Sequence, residues 1–162
     1  MSKFSFIYIG AFLILLSIFS FFNIIYSYYF NILLSVDTYT YTFFICLILG
    51  IFFIYFNKLK SKKISLFEKI ITVLTGYIFF PLIISLPYYL SIHNIDFLNC
   101  YFEAVSGFTS TGFSVFENIK QLDQTLILWR STSQWIGGLY FLFSILLLID
   151  IFDENLKKSL TN

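Results

Sequence analysis

The chain has 162 residues, of which 59% are hydrophobic and 12% charged, and a formal net charge of +1. So few charges leave too little polar surface to cover a water-soluble globule of this size, and charge-free runs longer than about 18 residues predict membrane spans. A near-neutral charge, lysines gathered in one short segment and no nucleic-acid motif exclude a nucleic-acid partner.

Lys3 precedes a charge-free stretch over 4–36, longer than the roughly 20 residues that cross about 30 Å of hydrocarbon. It predicts a helix over 4–28, with Tyr26, Tyr28 and Tyr29 at the exit interface. A signal peptide is the competing reading, but the apolar run is long and no Ala-x-Ala type cleavage site follows. Asp37 marks a polar turn, and 38–57 is a second run of spanning length. Lys58, Lys60, Lys62 and Lys63 follow, with Glu68 and Lys69 just beyond. A lysine cluster in a short loop is the positive-inside signature, which puts residues 58–69 and Lys3 in the cytoplasm and the Asp37 turn outside. Binding of anionic lipid or a cytoplasmic partner is the other use for these lysines.

The third span covers 70–92, with Pro81 and Pro87 in its outer half, where each removes a helical hydrogen bond. A kink that tilts the helix and plain tolerance of proline both stay open. His93, the single histidine, has no second histidine with which to hold a metal and reads as interfacial. Cys46 and Cys100 have no Cys or His neighbour at metal-ligand spacing, so both read as small hydrophobes and imply no disulfide framework.

An apolar segment over 96–108 is too short to cross and predicts a re-entrant helix. Asp96 or Asn94 caps its start, and Gly107 suits the exit from its last turn. Entering from outside, its C-terminal end carries about half a negative charge toward the membrane centre, which favours a cation there. Glu103, in the body of this helix, must face water or a hydrogen-bond partner, and bracing the following loop from behind is the expected role.

That loop is Thr109-Ser110-Thr111-Gly112-Phe113-Ser114. Non-helical backbone at membrane depth survives only when buried in protein or lining a wet cavity, and such carbonyls can replace an ion's hydration shell. Aligning glycines with the potassium-channel filter Thr-Val-Gly-Tyr-Gly places Ser110, Thr111, Gly112, Phe113 and Ser114 on its five positions. Gly112 supplies the backbone freedom this needs. An ordinary polar loop between helices is the competing reading.

Residues 115–124 then climb back to the outer surface through Glu117, Lys120 and Asp123. Trp129 and Trp135 bracket the start of the last span, 131–149. Arg130 is either an interfacial anchor or a buried partner of Glu103. Gly137-Gly138 either bends this helix or permits close packing. Asp150, Asp153, Glu154, Lys157 and Lys158 form a mixed-charge tail. The expected fold is an all-α membrane protein with four transmembrane helices plus one re-entrant pore helix and filter loop, both termini cytoplasmic. It divides into a two-helix pair (1–57), a Lys-rich loop (58–69), a helix-pore loop-helix unit (70–152) and a tail (153–162).

The run Phe102-Glu103-Ala104-Val105-Ser106-Gly107-Phe108 leading into that loop, followed by Leu128-Trp129-Arg130-Ser131-Thr132-Ser133-Gln134-Trp135-Ile136-Gly137-Gly138-Leu139, resembles the first pore unit of the Trk/Ktr/HKT superfamily of potassium transporters. Bacterial TrkH-type subunits are the nearest in pattern, over about 70–149. The resemblance implies four fused helix-pore loop-helix units around a central pathway, preceded by an extra helix pair that residues 1–57 resemble. It implies potassium as cargo and no cofactor, with ion-binding carbonyls at Ser110, Thr111, Gly112 and Phe113, supported by Thr109, Ser114, Glu103 and Arg130. In the family, serine in place of this loop's glycine goes with sodium selection, so Gly112 favours potassium. An interrupted second pore helix gives weight to a bend at Gly137-Gly138.

The other three units are absent from this sequence, and one loop cannot surround an ion. The chain is therefore expected to be incomplete alone. It is part of a split transporter, one subunit of a symmetric tetramer, or an inactive remnant. The expected setting is the inner cell membrane, with a cytoplasmic nucleotide-binding regulatory subunit as a partner of the whole assembly. The alternative is a noncatalytic membrane interaction subunit. An enzyme is disfavoured by a lone histidine and by the lack of paired acids, a phosphate loop or an activated cysteine.

Overall fold

The computed structural model describes residues 6–58, 66–92, 95–119 and 122–161. Among them the backbone forms five helices and no strand: α1 (Phe6–Tyr29), α2 (Leu33–Lys58), α3 (Leu66–Ser91), α4 (Phe97–Phe108) and α5 (Gln124–Thr161). Lys3, Lys60, Lys62, Lys63, His93, Asn94 and Lys120 lie outside the described residues. Among the described residues three stretches are long and apolar enough to cross a membrane, Ile7–Tyr29, Val36–Phe56 and Phe67–Ser91; the expected fourth span over 131–149, within α5, is not one of them. Phe22, Ile48, Leu74 and Ile78 project from them without cover, an arrangement costly in water and at ease in hydrocarbon.

The first turn lies earlier than Asp37. Asn31 takes a left-handed φ of 56°, and α2 restarts at Leu33, leaving Asp37 exposed on an uninterrupted helix. The physical reason is that asparagine tolerates this conformation and so stops α1, whereas no helix breaker stands beside Asp37. α1 and α2 then approach closely at two glycines. A Cβ on Gly10 would lie 2.9 Å from the Gly50 carbonyl oxygen, and one on Gly50 would lie 3.1 Å from that of Gly10. Small residues let the two backbones touch.

α3 stays helical through Pro81 and Pro87. Each proline removes a donor from the turn before it, and an aromatic donor from another helix reaches a carbonyl of that turn. Tyr101 Oη donates to Ile78 O at 3.3 Å, and Trp129 Nε1 donates to Ile84 O at 3.0 Å. α4 and α5 are thereby tied to α3 at its two weakened turns.

α5 is a single helix of 38 residues that starts before the expected boundary at 131. It continues through Gly137-Gly138 and includes the mixed-charge stretch. Tyr140 fastens α5 to α3, its hydroxyl donating to the carbonyls of Thr72 and Val73 at 3.1 Å each. Only a glycine at position 76 leaves room for that hydroxyl, since a Cβ there would lie 1.9 Å from it. Around this joint Phe80 packs on Phe108 and Tyr140 with ring centroids 5.8 and 5.0 Å apart, and Phe12 brings α1 against Tyr140 at 4.9 Å. The end of α4 is thus set in an aromatic core contributed by α1, α3 and α5.

Candidate pore loop

α4 has 12 residues. At 1.5 Å per residue it rises about 18 Å, too little to cross about 30 Å of hydrocarbon. Its buried side carries Cys100, Glu103, Ala104 and Gly107, the spacing of one helical face, and packs between α3 and α5. Asp96 occupies the N-cap with extended backbone, but its side chain makes no capping hydrogen bond. The Asp96 carbonyl instead accepts from the N–H groups of Asn99 and Cys100 at 3.0 and 3.2 Å.

The exit from α4 differs from the expected one at Gly107. Gly107 stays helical, and its missing side chain serves the contact with α5 instead: a Cβ there would meet Ser133 Oγ at 2.5 Å. The left-handed residue is Ser110, with φ 55°. Thr111 N–H donates to Ser106 O and Ser110 N–H to Gly107 O, both at 3.0 Å, the paired closure of a Schellman motif. A serine in this conformation costs roughly 1–2 kcal/mol, and such strain persists only where surrounding contacts enforce it. Gly112 follows with φ +85°, and a Cβ on it would meet nothing within 4 Å. Its glycine is required by backbone conformation and not by space.

Contacts from behind hold the loop. Glu103 is fully buried, and its Oε2 accepts from Ser114 Oγ and from Val115 N–H, both at 3.0 Å. Its Oε1 lies 2.6 Å from Arg130 Nη1, an ion-pair contact out of line for a hydrogen bond. Arg130 Nη1 also donates to Ser114 Oγ at 3.1 Å, and Phe116 N–H donates to the same oxygen at 3.1 Å. One serine hydroxyl thus gives its proton to the carboxylate and receives two, which uses its full hydrogen-bonding capacity. A buried carboxylate without such partners would cost several kcal/mol, so the pair with Arg130, whose side chain is 9% exposed, is what makes Glu103 tolerable here. Of the two readings open for Arg130, the structure contains the buried pair.

Ser106, three residues after Glu103 on α4, makes a second tether: its Oγ donates to Phe113 O at 2.5 Å. In the sequence, the signal for this role of Ser106 is a polar residue at helical spacing from Glu103. The bond turns the Phe113 carbonyl toward α4, while the Phe113 ring is 68% exposed. On the open side, Thr109, Ser110, Thr111 and Gly112 are exposed. The Thr109 and Thr111 hydroxyls lie 2.5 Å apart, and Thr109 Oγ1 also donates to Val105 O at 2.8 Å. At the end of α4, a cavity of about 400 Å³ is bordered by Phe108, Thr109, Ser110, Gly137, Gly138, Tyr77 and Phe141.

These features define an all-helical membrane protein in which a helix too short to cross ends in a strained loop tied to it by a buried carboxylate. Comparison with known proteins narrows that class. The TrkH family model, described as a cation transport protein, matches residues 35–161, and the chain belongs to this family. It is 31% identical over 102 residues to an uncharacterized cation transporter of Methanocaldococcus jannaschii, covering 60% of this chain and 22% of the relative. It is 40% identical over 55 residues to the Trk system potassium uptake protein TrkI of Halomonas elongata, covering 34% of this chain and 11% of the relative. With the Trk system potassium uptake protein TrkG of Escherichia coli it shares 29% identity over 86 residues, 52% of this chain and 18% of the relative. The matched stretches therefore span about a fifth or less of each relative's length. No solved structure gives a significant match.

Proposed function

We propose that this chain supplies one pore unit of a potassium pathway, with the carbonyls of Ser110, Thr111 and Gly112 turned to the ion. The observation that carries this reading is the pair of left-handed residues, Ser110 at 55° and Gly112 at 85°, in an exposed loop tethered from behind. Exposed backbone carbonyls held in a fixed loop are the groups that can replace the hydration shell of a dehydrated cation. The Phe113 carbonyl, bonded to Ser106, drops out of the proposed ligand set and serves as an anchor. Potassium as the cargo draws support from the names of two relatives, both potassium uptake proteins.

In this reading α1, α2, α3 and α5 cross the inner membrane, α4 dips in from outside, and the lysine-rich segment faces the cytoplasm. One loop covers a fraction of an ion's coordination sphere. The pathway therefore closes with pore units from other chains or from further copies of this one. A nucleotide-binding regulatory subunit beneath the assembly fits the same reading.

The test is Gly112→Ser in the assembled transporter, followed by rubidium and sodium uptake. Serine at φ +85° forces the loop to relax, and the potassium-to-sodium preference is expected to fall roughly tenfold, about 1.4 kcal/mol of lost discrimination. An unchanged ion ratio in a normally assembled protein would refute the proposal and favour a subunit that packs in the membrane without contributing to permeation.

A further inference from the structure

On α5, Arg130, Ser133, Gly137 and Tyr140 recur at the three- and four-residue steps that put side chains on one face of a helix. α4 lies along that face. Arg130 meets Glu103, Ser133 fills the space left by the absent side chain of Gly107, and a Cβ on Gly137 would overlap the Phe108 carbonyl oxygen. The fourth contact is the Tyr140 ring, whose centroid lies 5.6 Å from that of Phe108. Phe108 is the buried last residue of α4, and Thr109 and the loop follow directly. Whatever holds Phe108 therefore fixes where the loop begins.

Tyr140 is itself braced at its far end. Its hydroxyl shares one proton between the carbonyls of Thr72 and Val73, 3.1 Å from each, in the gap left by Gly76 on α3. The ring has no room to swing aside, because Phe80, Tyr77 and Phe12 stand around it with centroids 5.0, 5.2 and 4.9 Å away. A tethered hydroxyl is more than packing requires, since phenylalanine would fill the same ring space with no polar group to satisfy. We propose that Tyr140 is a positioning residue, a strut from the α3 backbone to Phe108 that fixes where the Ser110 and Thr111 carbonyls stand and so sharpens ion discrimination without touching the ion. Glu103 and Ser106 hold the loop at its return, whereas Tyr140 supports its start. The role in discrimination rests on the permeation reading of the loop; the strut does not.

The test is Tyr140→Phe in the full chain, read by hydrogen–deuterium exchange in detergent. This variant keeps the ring and removes only the tether. The amides of Ser110 and Thr111, bonded to Gly107 O and Ser106 O, are expected to exchange roughly fivefold faster, while those of α1 and α2 keep their rates. Ser144→Ala, which loses a hydroxyl bonded within α5 to Tyr140 O, is the control and should leave Ser110 and Thr111 unchanged. In the assembled transporter Tyr140→Phe should lower the potassium-to-sodium preference roughly threefold, a smaller fall than in Gly112→Ser. Unchanged exchange at Ser110 and Thr111 would overturn the strut, and so would an equal rise in α1 and α2, which would mean general loosening. Faster exchange with an intact ion ratio, where Gly112→Ser does shift that ratio, would make Tyr140 a packing residue and overturn its role in discrimination. Faster exchange beside a ratio that neither variant moves would uphold the strut while the permeation reading, and discrimination with it, falls.

Discussion

α1 and α4 close their last turns with the same pair of backbone hydrogen bonds, yet the chain leaves them differently. After α1, Ile32 N–H donates to Ser27 O and Asn31 N–H to Tyr28 O, with Asn31 left-handed, and α2 starts at Leu33. After α4, Thr111 and Ser110 make the equivalent bonds, but among the described residues the next α-helix begins only at Gln124. The helix ending is common property of the backbone. What distinguishes the second site lies behind it: Glu103 and Ser106 point from the buried face of α4 at the returning strand of the loop, and Arg130 closes the network from α5. The first turn is held by local geometry and the second by a buried charge.

Removing that charge should break the difference most strongly. Glu103→Ala strands Arg130 in the interior, and a loss of about 3–5 kcal/mol is expected, read by thermal unfolding of the full chain in detergent. The double variant Glu103→Gln with Arg130→Met should recover a large part of it, because no unpaired charge then remains. A smaller effect separates two serines. Ser114→Ala removes a hydroxyl with three partners and should cost about 1–3 kcal/mol. Ser20→Ala in the hairpin loses one bond, to Tyr39 O at 2.8 Å, and should cost about 1 kcal/mol. Comparable melting temperatures for the two would mean that the loop network is no more cooperative than a single helix-helix bond. The smallest effect compares the left-handed residues themselves. Ser110→Gly relieves strain and should stabilise by up to about 1 kcal/mol, while Asn31→Gly should change stability by about half that or less. Equal responses would remove the claim that Ser110 is held in place.

Much of the architecture was readable before any coordinates. Charge-free runs predicted four spans. The first three coincide with the stretches long and apolar enough to cross among the described residues, whereas the fourth, over 131–149, is not among them. A short apolar segment carrying Glu103 announced a helix too short to cross. Errors fell where a local signal had a competitor. Asp37 reads as a turn residue, but helix α2 absorbs it, because Asn31 had already stopped α1. Gly107 reads as a helix exit, but it is spent on contact with Ser133, and Ser110 takes the left-handed position instead. Gly137-Gly138 reads as one element, and its two members turn out to face different surroundings.

From its residues alone this chain is committed to a membrane: so apolar a sequence cannot cover itself in water, and no tertiary arrangement changes that. Which glycine is filled by a neighbour, which serine is forced left-handed, and whether Arg130 meets the interface or Glu103 depended on helices far apart in sequence coming together. Those outcomes are set by contacts a few ångströms long between distant segments, and no periodicity along the chain encodes such distances.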